Sequence, residues 1–419
     1  MKKIAMLLLL IATISAEQLK VPSQYSTIQA AVDASLNGDT ILVAAGTYKE
    51  NVELINPEGG PYKSINVIGE DKNTTIIDGN QNGSAFLVMR NLDFLLKNFT
   101  IQNGTGWESS GGAVNINGLS GTSATAVLEN LILKNNPAGG AVWANNSDLT
   151  IKNSSIESNT SFQGGGIKVE NCIKLTLDDV VVKNNTANQG GGIYAQQTPV
   201  YFSGTVFLLN NHASTEGGGI SFDGATPNQL LTNLVVAGNT AGNRGAGIVI
   251  HNSSFSIKNS TIVNNKANGN AGGLFVSHGT VLDVENSIFW NNSPQQVWVD
   301  DNSESDPSTL SFSYSDVQGG ESGIPTNGKG TITWGTGNID KNPLFVDSVA
   351  HNFNLKNWSQ LIGAGKDGND IGAFENEYST PQNAPPVLTA LSDVPVNEDA
   401  SVTVTLEAIN ADSADNDVI

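Results

Sequence analysis

The strongest constraint on this chain is a short pattern that returns at a nearly fixed step. Glycine pairs or triplets followed by an aliphatic residue end at Val114, Val142, Ile167, Ile193, Ile220, Ile248 and Leu274, with successive spacings of 28, 25, 26, 27, 28 and 26 residues. A second motif keeps the same step: an Asn or a close variant, four residues, then Asn-Asn or a variant of it. It reads NLILKNN from Asn130, NSSIESN from Asn153, DVVVKNN from Asp179, TVFLLNN from Thr205, NLVVAGN from Asn233, NSTIVNN from Asn259 and NSIFWNN from Asn286. A unit of this length cannot bury an apolar face alone, but stacked units can. Between the motifs run short alternating or β-branched segments with no helical period.

One coil per repeat, with strands about 4.8 Å apart in neighbouring coils, predicts an all-β fold, a right-handed parallel β-helix solenoid. The glycines are expected where φ is positive or coils pack closely, and the aligned asparagines at left-handed corners or in amide ladders. No helix start or Lys-Ser/Thr follows any glycine run, so the phosphate-loop reading fails.

The ends differ from the middle. Residues 1–16 read as a signal peptide: Lys2 and Lys3, an apolar run from Ile4 to Ile14, and a small-residue cleavage site at Ala16. Residues 17–63 are expected to form an N-terminal cap and first coil, with a short helix capped by Ser26 and burying Ile28, Ala31 and Val32. Repeats fill 64–315, a closing segment 316–378, a Pro-rich linker 379–386, and the opening strands of a truncated cadherin-like or immunoglobulin-like β-sandwich 387–419. In that last stretch Glu398, Asp412, Asp415 and Asp417 offer oxygens for Ca²⁺ as a cofactor.

The formal charge of −20 argues against nucleic acid and against docking on anionic lipid. The single cysteine, Cys172, excludes an intramolecular disulfide. No transmembrane segment is visible.

The repeats resemble the right-handed β-helix (pectin-lyase-like) superfamily over roughly residues 20–375. Their paired Gly-Gly-[Ala/Gly]-Ile and Asn-Asn motifs resemble those of the polymorphic outer-membrane protein family. NIDKNPLFVD (338–347), SQLIGAG (359–365) and DIGAFE (370–375) resemble a choice-of-anchor Q closing segment. These resemblances imply export to the cell surface or extracellular space and name no activity.

The strand after the glycines carries the candidate chemistry, counting its first aliphatic residue as zero. Position plus one carries Trp143, Lys168, Tyr194 and Phe275; position plus three carries Glu170, Gln196, Asp223 and His251. Alternation sends both columns outward, so Trp143, Lys168, Tyr194, Gln196 and Phe275 are the candidate glycan-binding residues. Glu170 and Asp223, two coils and about 9–10 Å apart, with His251 beside Asp223, are the candidate catalytic groups, near the upper separation for an inverting glycosidase at about 6.5–9.5 Å. The bland alternative is a solvated outer sheet face. Polygalacturonase motifs are matched only by fragments, Asp178-Asp179 and Ser277-His278-Gly279, and a cationic groove for uronates is missing. The leading expectation is a monomeric, non-enzymatic exported adhesion or glycan-binding protein whose partner is a polysaccharide or a host or cell-surface glycan. The alternative is a polysaccharide lyase or glycoside hydrolase.

Overall fold

The computed structural model describes residues 16–60, 62–90, 93–106, 110–118, 125–224, 229–301, 306–382, 387–388 and 408–409. The signal-peptide residues 1–15 and the carboxylates Glu398, Asp412, Asp415 and Asp417 lie outside these. Of the sandwich expected at 387–419, only the antiparallel pair Val387–Leu388 and Ala408–Ile409 is described.

The described residues form a parallel β-solenoid of about eleven turns, with almost no helix among them. One face is an eleven-stranded sheet running from Val52–Ile55 through Ile167–Glu170, Ile193–Gln196, Ile220–Asp223, Ile248–His251 and Leu274–Ser277 to Thr326–Gly328. Every repeat falls in register with the next: Ile167 pairs Ile193, Ile193 pairs Ile220, and Ile220 pairs Ile248. Positions zero and plus two point inward and are fully or almost fully buried, forming one apolar core along the axis.

The glycines do two jobs within each triplet. Gly190 opens one with φ +60, a left-handed conformation that disfavours any side chain. Gly192 closes it, and a Cβ there would sit 2.5 Å from the Gly219 carbonyl of the next coil. Gly192→Ala is therefore expected to force the coils apart and cost about 1–3 kcal/mol; denaturant unfolding of the variant checks this, and an unchanged midpoint would sink it.

The two asparagines of each Asn-Asn also divide their labour. The first takes the left-handed corner, as at Asn135, Asn184, Asn210, Asn264 and Asn291. The second turns inward to build a ladder of Asn136, Asn159, Asn185, Asn211, Asn239, Asn265 and Asn292, each side-chain amide donating to the next Oδ1 at 2.8–3.1 Å. The carboxamide of Gln296 accepts from Asn292 at one end, and the Gly104 N–H donates to Asn136 at the other.

Near the start, the helix Ile28–Ala34 is capped by Thr27, whose hydroxyl accepts from the Ala30 N–H at 3.1 Å, one residue after the expected Ser26. Ile28, Ala31 and Val32 join the solenoid core.

On a second face the outward column begins polar, at Lys134, Glu157 and Lys183, then turns apolar at Leu209, Ala237, Val263 and Trp290. The change has a structural cause. After the last rungs the chain doubles back, and Phe353, Leu355, Leu361, Ile362 and Ile371 pack over Val235, Ala237, Val263 and Ile288. This flap is tied down by Gly372 N–H to the Asn286 carbonyl (2.9 Å) and Ala373 N–H to Thr261 Oγ1 (3.0 Å).

Candidate functional site

The outer side of the eleven-stranded sheet is not the open face expected from alternation. Before each glycine triplet the chain forms a low wall of short parallel strands, Thr186–Gln189, His212–Glu216, Thr240–Ala241 and Lys266–Ala267. The first glycine of each triplet then crosses over the side chain at plus one: a Cβ on Gly190 would meet the Tyr194 Cβ at 2.8 Å. Hence Lys168, Tyr194 and Phe275 are buried, at 5%, 3% and 0% exposure, where solvent exposure was expected. Trp143 and Gln196 are half-buried. Phe275 offers no open ring face for a sugar, because Arg244 lies over it with its guanidinium carbon 4.6 Å from the ring centroid.

The wall contributes a column that the sequence reading passed over, the residue immediately before the glycines. It reads Gln163, Gln189, Glu216 and Arg244, and these side chains link in series. Gln163 Nε2 donates to Gln189 Oε1 (2.9 Å), Gln189 Nε2 to Glu216 Oε1 (2.9 Å), and Arg244 Nε to Glu216 Oε2 (2.7 Å). Its signal was present in the repeat as a planar polar residue at minus four in successive coils.

Wall and sheet enclose a groove of about 390 Å³ lined by Gln189, Tyr194, Glu216, Ser221, Asp223, Arg244, His251, Asn252 and His278. Asp223 and His251 are register neighbours on adjacent strands. Glu170 stands two strands from Asp223, with Gln196 between them, outside the groove lining. It is engaged by the Trp143 indole N–H (2.8 Å) and the Lys168 ammonium (3.0 Å). The structure thus brings Asp223 and His251 together with Glu216 and not with Glu170.

The electrostatics assign roles. Burial alone would raise the Glu216 carboxyl, but the hydrogen bond and charge of Arg244, joined by His251 when its ring is protonated, outweigh it and hold it at about 2. Glu216 is therefore ionised throughout the neutral range, an acceptor and never an acid. Tyr194 donates its hydroxyl to Asp223 Oδ2 (2.9 Å); burial and that bond push its pKa up, so it stays a donor. Arg244 also lies 4.0 Å from Asp300. Among the described residues no cluster of three or more His, Cys, Asp or Glu is arranged for a metal ion. No helix among them is long and apolar enough to cross a membrane.

The family model for a right handed beta helix region matches residues 117–338. No curated protein matches the chain. Among solved structures, the pectate lyase Pel9A is similar at 14% identity and TM-score 0.40, over 87% of this chain and 98% of its own. An alginate lyase from Paenibacillus sp. str. FPU-7 is similar at 10% identity and TM-score 0.34, over 76% and 98%. The catalytic unit of a thermostable GH87 alpha-1,3-glucanase from Streptomyces thermodiastaticus strain HF3-3 is similar at 15% identity and TM-score 0.34, over 74% and 65%. Likeness at this level carries nothing about activity. The family match spans more than half of the 419 residues and falls on the repeating coils themselves: the chain belongs to the right-handed β-helix family.

Proposed function

We propose that this is an exported, surface-displayed β-helix protein that binds a glycan in the groove between the wall and the eleven-stranded sheet. The observation that carries the reading is the lining itself. Planar polar side chains from successive coils (Gln189, Glu216, Asp223, Arg244, Asn252) bring both donor and acceptor groups to one groove, which suits a chain of sugar hydroxyls. Two carboxylates against one guanidinium, in a chain of net charge −20, favour a neutral glycan over a uronate. Display at the cell surface rests on the signal-peptide reading and on the repeats and closing segment like those of surface proteins. The helix Ile28–Ala34, in this reading, plugs the first coil.

A second reading, a polysaccharide lyase or hydrolase, is favoured by one fact: Asp223, His251 and His278 share the groove with Glu216. Affinity electrophoresis across a polysaccharide panel, with assays for reducing ends and unsaturated products, tests both. The wild type is expected to bind at least one neutral polysaccharide, and Asp223→Asn to weaken it about tenfold, the loss of one charge-assisted hydrogen bond at about 1.5 kcal/mol. Binding to no member of the panel, or binding indifferent to Asp223, would overturn the glycan assignment.

A further inference from the structure

Four side chains at the groove form a line whose hydrogen-bond direction can be worked out. His251 Nδ1 and His278 Nδ1 each lie 2.6 Å from the same atom, Ser277 Oγ. A hydroxyl carries one hydrogen, so it can donate to only one of these nitrogens, and the other must donate to it. The far end of the line decides which. His251 Nε2 lies 3.6 Å from Glu216 Oε1, and the ionised Glu216 only accepts. A bare Nε2 lone pair facing that carboxylate would be repelled, so the neutral ring keeps its hydrogen on Nε2 and its bare Nδ1 accepts the Ser277 hydroxyl. Ser277 Oγ in turn accepts from Nδ1–H of His278. What remains is a lone pair on His278 Nε2.

His278 is exposed and lines the groove, whereas Ser277 is 1% exposed beneath it. His278 also sits in the left-handed region at φ +59, a corner where earlier coils carry Asn146, Asn171, Gln197 and Asn252. The other charged groups at this end of the groove are committed elsewhere: Asp223 to Tyr194, Arg244 to Glu216 with Asp300 near it. Asp306 lies against Gly279, the residue that follows His278.

We propose that His278 is a general base of the groove, and that Ser277, His251 and Glu216 form a proton relay behind it. This rests on the glycan reading of the same groove and gives it an activity, with a sugar hydroxyl or a water held by the sugar as the proton donor. The step balances without a co-reactant. The donor O–H bond breaks, its electron pair stays on oxygen, and the proton bonds to His278 Nε2. The Nδ1 proton of His278 passes to Ser277 Oγ as the Ser277 proton passes to His251 Nδ1. His251 becomes an imidazolium facing the Glu216 carboxylate, and His278 is left neutral with a hydrogen on Nε2. Run backwards, the same line delivers a proton to a leaving oxygen. His278 touches the reacting atoms; Ser277, His251 and Glu216 are positioning residues.

The relay is read directly by ¹⁵N NMR of the histidine rings in the whole chain at neutral pH, without any ligand. His278 is expected as the Nδ1–H tautomer with bare Nε2 and His251 as the reverse, and Ser277→Ala should shift the His278 ring nitrogens. An Nε2–H tautomer for neutral His278 in the wild type overturns the relay, and that measurement stands even if Ser277→Ala fails to fold. On a polysaccharide that the wild type binds and turns over, His278→Gln is expected to retain affinity and lose turnover about 100-fold or more. Binding without turnover by the wild type overturns His278 as a catalyst and leaves the glycan groove intact, whereas binding to nothing on the panel overturns the glycan reading itself.

Discussion

Replacing Asn211 with Ala should cost about 5 kcal/mol of stability, because one carboxamide closes four buried hydrogen bonds at about 1–1.5 kcal/mol each. Its Oδ1 accepts from the Asn185 backbone N–H and side-chain amide, both at 3.0 Å. Its Nδ2 donates to the Val182 carbonyl (2.9 Å) and to Asn239 Oδ1 (3.1 Å). Residues 185, 211 and 239 are fully buried, so no water replaces what is lost. Asn211→Asp tests the same point from the other side: it keeps the acceptor and loses the donor, and a buried carboxylate next to the Asn239 oxygen should be no milder than Ala. Equilibrium denaturation of both variants is the measurement. A loss below about 1 kcal/mol for Asn211→Ala would mean the ladder is ornament, with each rung held by its backbone bonds alone.

The second large effect concerns Asp316, on the short strand Asp316–Val317 that pairs with Ile288–Trp290 near the solenoid's end. The residue is fully buried; Oδ1 accepts from the Lys341 N–H (2.9 Å), and Oδ2 has no partner among the described residues. Burial pushes its pKa up from the usual carboxylate value to about 8; the neighbouring Asp340 charge adds to this, against the Lys341 hydrogen bond. The native state thus holds a proton that the unfolded chain releases near pH 4. Below that pH both states are protonated and stability is at its fullest. Between about pH 4 and 8 stability should fall by up to about 1.4 kcal/mol per pH unit, then level off once both states are ionised. Asp316→Asn removes this slope. It should stabilise the protein by up to about 5 kcal/mol at pH 8 and be neutral or mildly destabilising near pH 4, since its amide N–H₂ replaces an O–H in the same unpartnered place. Thermal melts of both proteins across pH 4–9 decide it, and a wild-type-to-variant difference that does not change with pH refutes it.

Much of the architecture was legible in the residues. The 25–28-residue step fixed one coil per repeat, since a displaced Ile or Asn would have put a polar group in the core or an apolar one outside. The glycine triplets and Asn-Asn pairs announced corners, though not that the two asparagines of a pair do different work. The site was harder to read. Alternation within a strand correctly gave which side chains leave the core, but it says nothing about whether another segment lies over them. That is why Tyr194, Lys168 and Phe275, expected in solvent, are buried under the glycine turns. For the same reason the minus-four column of Gln189, Glu216 and Arg244 was missed. It precedes the strand in sequence, and only the turn's geometry swings it over the strand's outer face. The apolar shift from Lys183 to Leu209, Ala237 and Val263 was visible as well, and it marks where the flap lies.

That flap changes how the molecule should respond to force and heat. A bare solenoid is a stack in which each coil touches only its neighbours, so it can fray one rung at a time from either end. Here Phe353, Leu355, Ile362 and Ile371 lie across strands from several coils at once, with Gly372 and Ala373 bonded to residues from two of them. The coils from about residue 206 to 290 are clasped lengthwise, as a bound stack of pages is by its spine. Peeling at the C-terminal end must first lift the clasp, after which the coils beneath it lose their cover together. One-dimensional fraying is thereby turned into an all-or-none opening in the half of the protein that carries the groove.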